Sequence, residues 1–223
     1  MRTIIAFDVN ETLLDLRVLD PMFQQVFGDA ALRPTWFTQM LQVAFVGTIT
    51  GRYVDFTTAQ HAALRMLAAR QDLELAEVDI DKIVGTMNHL PAYPEVHEAL
   101  RRLVDAGFRL MALTNSVREV AEAQLTNADL RECFEQVLSA DQVQRLKPAP
   151  EPYRMVAEHF AVGIGDIRLV AAHAWDVAGA LEAGCLAAFV ARPGAVLSPI
   201  GRQPDIVGRD MREIAEQITQ HDR

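Results

Sequence analysis

Four polar clusters along the chain hold side chains suited to covalent and proton-transfer chemistry. Asp8, Asn10, Glu11 and Thr12 follow the apolar run Thr3–Phe7 (TIIAF). Thr114, Asn115 and Ser116 form a second cluster, and Lys147-Pro148 follows Asp141 in a third. His173, Trp175 and Asp176 make the fourth. Carboxylate, hydroxyl, amide, ammonium and imidazole groups are the parts from which nucleophilic and general acid–base catalysis are assembled. Each also has an ordinary structural reading. Asp8 or Asp176 can cap a helix, Lys147 can be surface charge, and His173 can be a hydrogen-bonded structural histidine.

Short apolar runs precede these clusters. Thr3–Phe7, Arg109–Leu113, Gln136–Leu138, Ile167–Ala171 and Ala187–Ala191 read as buried strands. Helical stretches lie between them at Glu95–Ala106, Val117–Asn127, Glu151–Phe160 and Ala174–Ala183, with Gly107 and Gly184 at C-cap positions. This alternation predicts right-handed βαβ units and a doubly wound, mainly parallel α/β sheet. In such a sheet, ligands bind beyond the carboxyl ends of the strands, where the four clusters would converge on one cleft. Residues 15–90 break the rhythm, with amphipathic patterns at Trp36–Val46 and Thr57–Ala69. They read as a helical cap domain inserted into a core domain of residues 1–14 and 91–223. Pro91 and Pro94 mark the return.

Half of the 223 residues are hydrophobic and 23% are charged, enough for a real core. A net charge of -9 disfavours nucleic acid and anionic membrane surfaces as partners. Cys133 and Cys185 lack partners at metal-ligand spacing and read as reduced, packed thiols. No signal peptide or transmembrane span is apparent, so a cytoplasmic location is expected.

The segments FDVNETL (7–13), LTNS (113–116), LKPAPEPY (146–153) and AWD (174–176) resemble the haloacid dehalogenase (HAD) superfamily. RYVDF (52–56) and AHAWDVAGA (172–180) extend the likeness to the type II 2-haloacid dehalogenases. The resemblance implies a HAD-like core with a four-helix-type cap, a homodimer as the common assembly, and a small carboxylic acid and water as reactants. It implies that Asp8 is the nucleophile, forming a covalent ester. Lys147 keeps Asp8 ionised; Thr12, Thr114 and Asn115 position the reacting groups; Asp176 holds Lys147 and orients water. Metal-dependent HAD phosphatases usually carry an acid where this chain has Asn10, and another where it has Ala172. No metal or other cofactor is therefore expected.

The chain departs from the dehalogenases at several places. They generally have Tyr-Gly where Asn10-Glu11 stands, and a cap arginine at the position of Phe37. A Ser and an Asn correspond to Ala171 and His173. Losing a cation and gaining Glu11 suits a leaving group that is cationic or becomes protonated. This favours C–N ring opening of a strained cyclic amino acid, the azetidine-2-carboxylate hydrolase activity of this branch. Dehalogenation of (S)-2-haloacids is the alternative, and a catalytically silent ligand- or partner-binding protein a third. The structural alternative is that Glu11 pairs with a nearby Arg or Lys outside the cleft. His173 can activate water, and Trp36, Phe37, Tyr53, Phe56 and Trp175 can form an apolar wall.

Overall fold

A computed structural model describes residues 3–222. Its centre is a six-stranded, wholly parallel sheet in the order β3-β2-β1-β4-β5-β6. The strands are β1 (Ile4–Phe7), β2 (Arg109–Thr114), β3 (Gln136–Ser139), β4 (Ile167–Ala171), β5 (Leu186–Val190) and β6 (Ile206–Gly208). Every β1 residue is buried, because parallel sheets are covered by helices on both faces. Ile5 and Phe7 face one core and Ile4 and Ala6 the other, as the two-residue period of a strand requires.

The helices are α1 (Asp20–Phe27), α2 (Leu32–Thr50), α3 (Phe56–Arg70), α4 (Glu77–Thr86) and α5 (Val96–Asp105). They continue with α6 (Arg118–Asn127), α7 (Pro150–Phe160), α8 (Ala174–Ala183) and α9 (Met211–His221). Among the described residues no strand of the sheet falls between β1 and β2, and α1–α4 occupy that insertion. The core containing Ile5 and Phe7 runs on through Phe23, Trp36, Met40 and Leu64 of these helices. Asp55 caps α3 by accepting from the Thr58 N–H at 2.9 Å.

The sequence pattern misses β6 and α9. β6 has three residues, lies at the sheet edge and turns Val207 outward, so no apolar run announces it. The fifth strand begins one residue earlier than the pattern predicts, at Leu186. Both cysteines are free and buried. No helix among the described residues is long and apolar enough to cross a membrane.

Because β1 lies between β2 and β4, its carboxyl end is the topological switch point of the sheet. Asp8 is the first residue beyond it, and its backbone N–H still bonds the Val170 carbonyl of β4 at 3.0 Å.

Candidate active site

Asp8, Thr12, Lys147 and Asp176 meet at that switch point, all buried. The Asp8 carboxylate accepts from Lys147 Nζ at Oδ1 (2.9 Å) and from Thr12 Oγ1 at Oδ2 (2.6 Å). Lys147 Nζ also donates to Asp176 Oδ2 (2.6 Å) and to the Leu113 carbonyl (2.8 Å), which uses all three ammonium protons. Asp176 Oδ1 accepts from Tyr153 Oη at 2.5 Å. The Thr12 hydroxyl accepts from the Ala172 N–H at 2.9 Å, leaving its own proton for Asp8. Asp8 and Asp176 are therefore not helix caps, and Lys147 is not surface charge. The α8 N-cap position is held by His173, and the Asp176 side chain is committed to Lys147 and Tyr153.

The electrostatics follow from two buried carboxylates sharing one ammonium. Burial alone would raise the Asp8 pKa, but the Lys147 charge, His173 and the Thr12 hydrogen bond outweigh it and hold Asp8 below the ordinary carboxylate value. Asp176 is pushed up by burial and by the negative charge of Asp8, against the pull of Lys147. Burial works to lower Lys147, yet Asp176 and Asp8 together raise it, so the ammonium stays charged. The Tyr153 hydroxyl is raised well above its usual value by burial and by Asp176, which keeps it a donor.

Asn115 and Thr114 shape loops. Asn115 Nδ2 donates to the Lys147 carbonyl (3.1 Å) and its Oδ1 accepts from the Lys147 N–H (2.8 Å), clamping the lysine backbone. Thr114 Oγ1 accepts from the Ser116 N–H at 3.1 Å. Asn10 differs from expectation. Its Nδ2 donates to Ser116 Oγ (3.3 Å) and its Oδ1 accepts from Gln124 Nε2 (3.0 Å), so the amide points away from the cleft.

A cleft of about 840 Å³ opens beside this cluster, lined near Asp8 by Glu11, Arg33, Phe37, His173, Trp175 and Arg192. Glu11 faces it from a left-handed backbone (φ 59°). Its carboxylate is paired with Arg33 at 3.0 Å, and Arg33 also binds Asp20 at 2.5 Å. Glu11 is thus paired, as the structural alternative expects, but with a cation that lines the cleft and is shared with Asp20. His173 is stacked between Phe37 (5.6 Å between centroids) and Trp175 (5.2 Å). Its Nε2 lies 3.1 Å from the Asn10 carbonyl and 3.8 Å from Asp8 Oδ2. A carbonyl only accepts, so the ring nitrogen nearest Asp8 carries the proton and cannot take one from water there.

Of the five aromatics expected to wall the cleft, Phe37 and Trp175 do so, joined by Phe45. Trp36 is buried against Phe23 and donates to the Gln60 carbonyl at 3.1 Å, Phe56 is in the core, and Tyr53 donates to Asp141.

Sequence reasoning missed Tyr153, Arg33, Arg192 and Gly179. Tyr153 ends the LKPAPEPY segment, two residues beyond the predicted start of α7, which was its available signal. Arg192 Nη2 and Nε donate to the Thr12 carbonyl at 2.9 and 3.2 Å, tethering the nucleophile loop. A Cβ on Gly179 would fall 2.5 Å from Pro148 Cβ and 2.7 Å from Tyr153 Oη, so only glycine lets α8 approach the Lys147 loop.

An α/β hydrolase with a carboxylate at the switch point is the class this arrangement defines. A family model described as haloacid dehalogenase-like hydrolase matches residues 3–184. The chain belongs to that family. It is 30% identical to haloacetate dehalogenase H-2 of Moraxella sp. (strain B), over 90% of this chain and 91% of that one. It is 27% identical to an (S)-2-haloacid dehalogenase of Pseudomonas putida, over 95% and 94% of the two chains. Among solved structures, the L-2-haloacid dehalogenase RSc1362 superposes with a TM-score of 0.93 at 27% identity, over 97% of this chain and 98% of that one. The fold also matches L-2-haloacid dehalogenase of Xanthobacter autotrophicus with chloropropionic acid covalently bound. That match has a TM-score of 0.92 and 22% identity, over 99% of this chain and 100% of that one.

Proposed function

We propose that the protein hydrolyses the carbon–halogen bond of small (S)-2-haloacids through an ester on Asp8. The observation that carries this reading is the buried Asp8–Lys147–Asp176 cluster, whose two carboxylates exceed its one ammonium. Attack of Asp8 on C2 turns its carboxylate into a neutral ester and sends the electron pair out on the halide. The cluster passes from one surplus negative charge to none, which favours attack in a site shielded from water. Water then adds to the Asp8 carbonyl carbon, and the 2-hydroxy acid leaves with an oxygen that began on Asp8. In this reading Asp176 takes the water's proton, a role supported by its raised pKa and by Nε2 of His173 already carrying one. Names of the relatives support halide as the leaving group, and so does the pairing of Glu11 with Arg33.

A second reading is kept because of Glu11. A carboxylate held in a left-handed backbone and facing the cleft suits the ammonium of a strained ring such as azetidine-2-carboxylate. Incubation with (S)-2-chloropropionate and with azetidine-2-carboxylate separates the two, by assay of chloride and of the ring-opened hydroxy amino acid. Ring opening without chloride release would replace the first reading with the second. A Glu11→Gln variant should then lose ring opening, whereas chloride release should survive it. For either substrate, a single turnover in heavy-oxygen water should label Asp8 and leave the product unlabelled. Label in the product alone would exclude the ester.

A further inference from the structure

The Lys147 ammonium must reach Asp8, Asp176 and the Leu113 carbonyl at once, so the backbone behind it has little room to drift. On one side Asn115 clamps that backbone from the end of β2. The other side is held by the cap. Thr48, in the last turn of α2, accepts from the Leu146 N–H at its Oγ1 (3.3 Å). Its carbonyl, one of the last four of the helix, accepts from Arg145 Nη1 at 2.6 Å, where a cation also suits the helix dipole. Tyr53, in the turn between α2 and α3, donates to Asp141 Oδ1. Burial and the Asp141 carboxylate raise the Tyr53 hydroxyl above its usual value, which keeps it a donor.

Asp141, Arg145 and Leu146 all belong to the segment that runs from β3 to Lys147. That segment is itself tight. Ser139 caps its 3-10 turn (Ala140–Val143), and Gln144 takes a left-handed backbone (φ 48°). A displacement at Asp141 or Leu146 is therefore passed on to Lys147 rather than absorbed. The cap side is equally close-fitting. A Cβ on Gly47 would fall 2.9 Å from the Arg52 carbonyl, so the turn carrying Tyr53 folds back directly on α2. Neither Thr48 nor Tyr53 lines the cleft.

We infer that Thr48 and Tyr53 are positioning residues for the reaction at Asp8: through them the cap sets the Lys147 ammonium against the nucleophile. Their effect on rate rests on the Asp8 displacement proposed above, whereas their hold on the lysine needs no substrate. A misplacement of about 1 Å at a reacting group costs on the order of 100-fold in rate, so a drift of about half that should cost about tenfold.

Full-length variants assayed with (S)-2-chloropropionate test this. Thr48→Val keeps the shape and removes the acceptor, Thr48→Ser keeps the acceptor, and Tyr53→Phe removes the donor. Thr48→Val and Tyr53→Phe together should lower kcat about tenfold and leave KM within about twofold, since neither residue lines the cleft. Thr48→Ser should keep nearly the native kcat. The second readout is the nitrogen NMR signal of the Lys147 ammonium, whose protons exchange slowly because they are buried and fully bonded. The chain has two lysines and the other, Lys82, is exposed, so the signal assigns itself. In the double variant it should shift and exchange faster with water, and melting temperatures are followed in parallel. A double variant that melts lower but keeps its kcat and its ammonium signal would make these contacts a support for the cap alone, and would overturn the inference. So would a Thr48→Ser variant as slow as Thr48→Val, because packing rather than the acceptor would then be what matters. Should the double variant not fold, the single variants give the same comparison, at about threefold in kcat each. A native enzyme that releases no halide would sink the carbon–halogen reading, and an ammonium signal unmoved in the variants would still overturn the positioning role.

Discussion

Replacing Lys147 by methionine keeps the length of the side chain and removes the charge, and its consequences can be worked through. In the native cluster Nζ serves Asp8, Asp176 and the Leu113 carbonyl at 2.9, 2.6 and 2.8 Å. Without it two buried carboxylates face each other with no cation. Breaking a buried ion pair from one side costs about 3–5 kcal/mol. For a chain of this size, at about 2–4 °C per kcal/mol, Tm should fall by roughly 6–20 °C. Asp176, already raised above the usual carboxylate value, takes a proton first. Asp8 keeps the Thr12 hydrogen bond but loses the largest influence lowering its pKa, so burial now raises it. If the whole penalty falls on the nucleophile, kcat drops on the order of 100- to 5,000-fold at neutral pH. Activity should recover as pH rises, because the carboxylate must lose its proton to attack. The assay is halide release against pH, alongside thermal unfolding. The double variant Lys147→Met/Asp176→Asn should regain part of the lost Tm, since no unpaired second carboxylate remains, but not the activity. A Lys147→Met enzyme with kcat within about threefold of the native value and an unmoved acid limb would refute the reasoning.

Thr12→Val removes a donor from Asp8 Oδ2 and an acceptor from the Ala172 N–H. Two buried groups lose partners, so a loss of about 2–4 kcal/mol in stability and at least tenfold in kcat is expected by denaturation and halide assay. Tyr153→Phe strips Asp176 Oδ1 of its donor at 2.5 Å. It should cost about 1–3 kcal/mol and lower kcat more than it changes KM, because the cleft is not lined by Tyr153. Gly179→Ala pushes a methyl against Pro148 and Tyr153, and should lower Tm and kcat together, while Ala→Gly at neighbouring Ala180 tests for a general helix effect. Stability should decline as pH falls below about 5. Asp8, Asp15, Glu95 and Asp205 have folded pKa values below their unfolded ones, so their contribution is present above the unfolded pKa and lost as pH drops through the folded one. Asp176 alone among these carboxylates opposes the trend, being raised. Urea midpoints at pH 7, 5, 4 and 3.5 test it, and a constant midpoint would contradict it.

The parts legible in the sequence are those that local chemistry dictates. Buried parallel strands are mostly apolar, so β1, β2 and β4 stand out even with Arg168 inside β4, and the polar residues at or just beyond their carboxyl ends mark the cleft. The helical insertion shows through its period. Legibility fails where a residue's role depends on what arrives from far along the chain. Asn10 looks like a cleft residue because it is two places from Asp8, but Gln124 and Ser116, more than a hundred positions away, take both ends of its amide. Trp36 and Phe37 are adjacent in sequence and opposite in fate. One anchors the cap core, while the other reaches the cleft and stacks on His173, and only the phase of α2 against the sheet separates them. Gly179 lies in the AHAWDVAGA segment, but its neighbours in sequence do not show why a glycine is needed, since its importance is the nearness of Pro148 and Tyr153.

Glu11 shows best how charge along a sequence differs from charge in space. As a residue type beside the nucleophile it predicts a cleft hostile to a departing anion. In the fold, Arg33 reaches it from α2 at 3.0 Å and also binds Asp20 at 2.5 Å, so one guanidinium offsets part of the charge of two carboxylates. The backbone adds a second consideration. A glutamate at φ 59° bears a strain of about 1–2 kcal/mol that a glycine would avoid. Such strain persists where surrounding contacts hold it, and here the Glu11 N–H donates to the Leu14 carbonyl at 2.9 Å. A strained, paired carboxylate at the cleft wall can respond to its ligand: a halide near Arg33 weakens the pair, and an ammonium near Glu11 competes for it. The two leaving groups therefore draw on opposite members of one ion pair, and so substitutions at Glu11 and Arg33 should move the two activities in opposite directions.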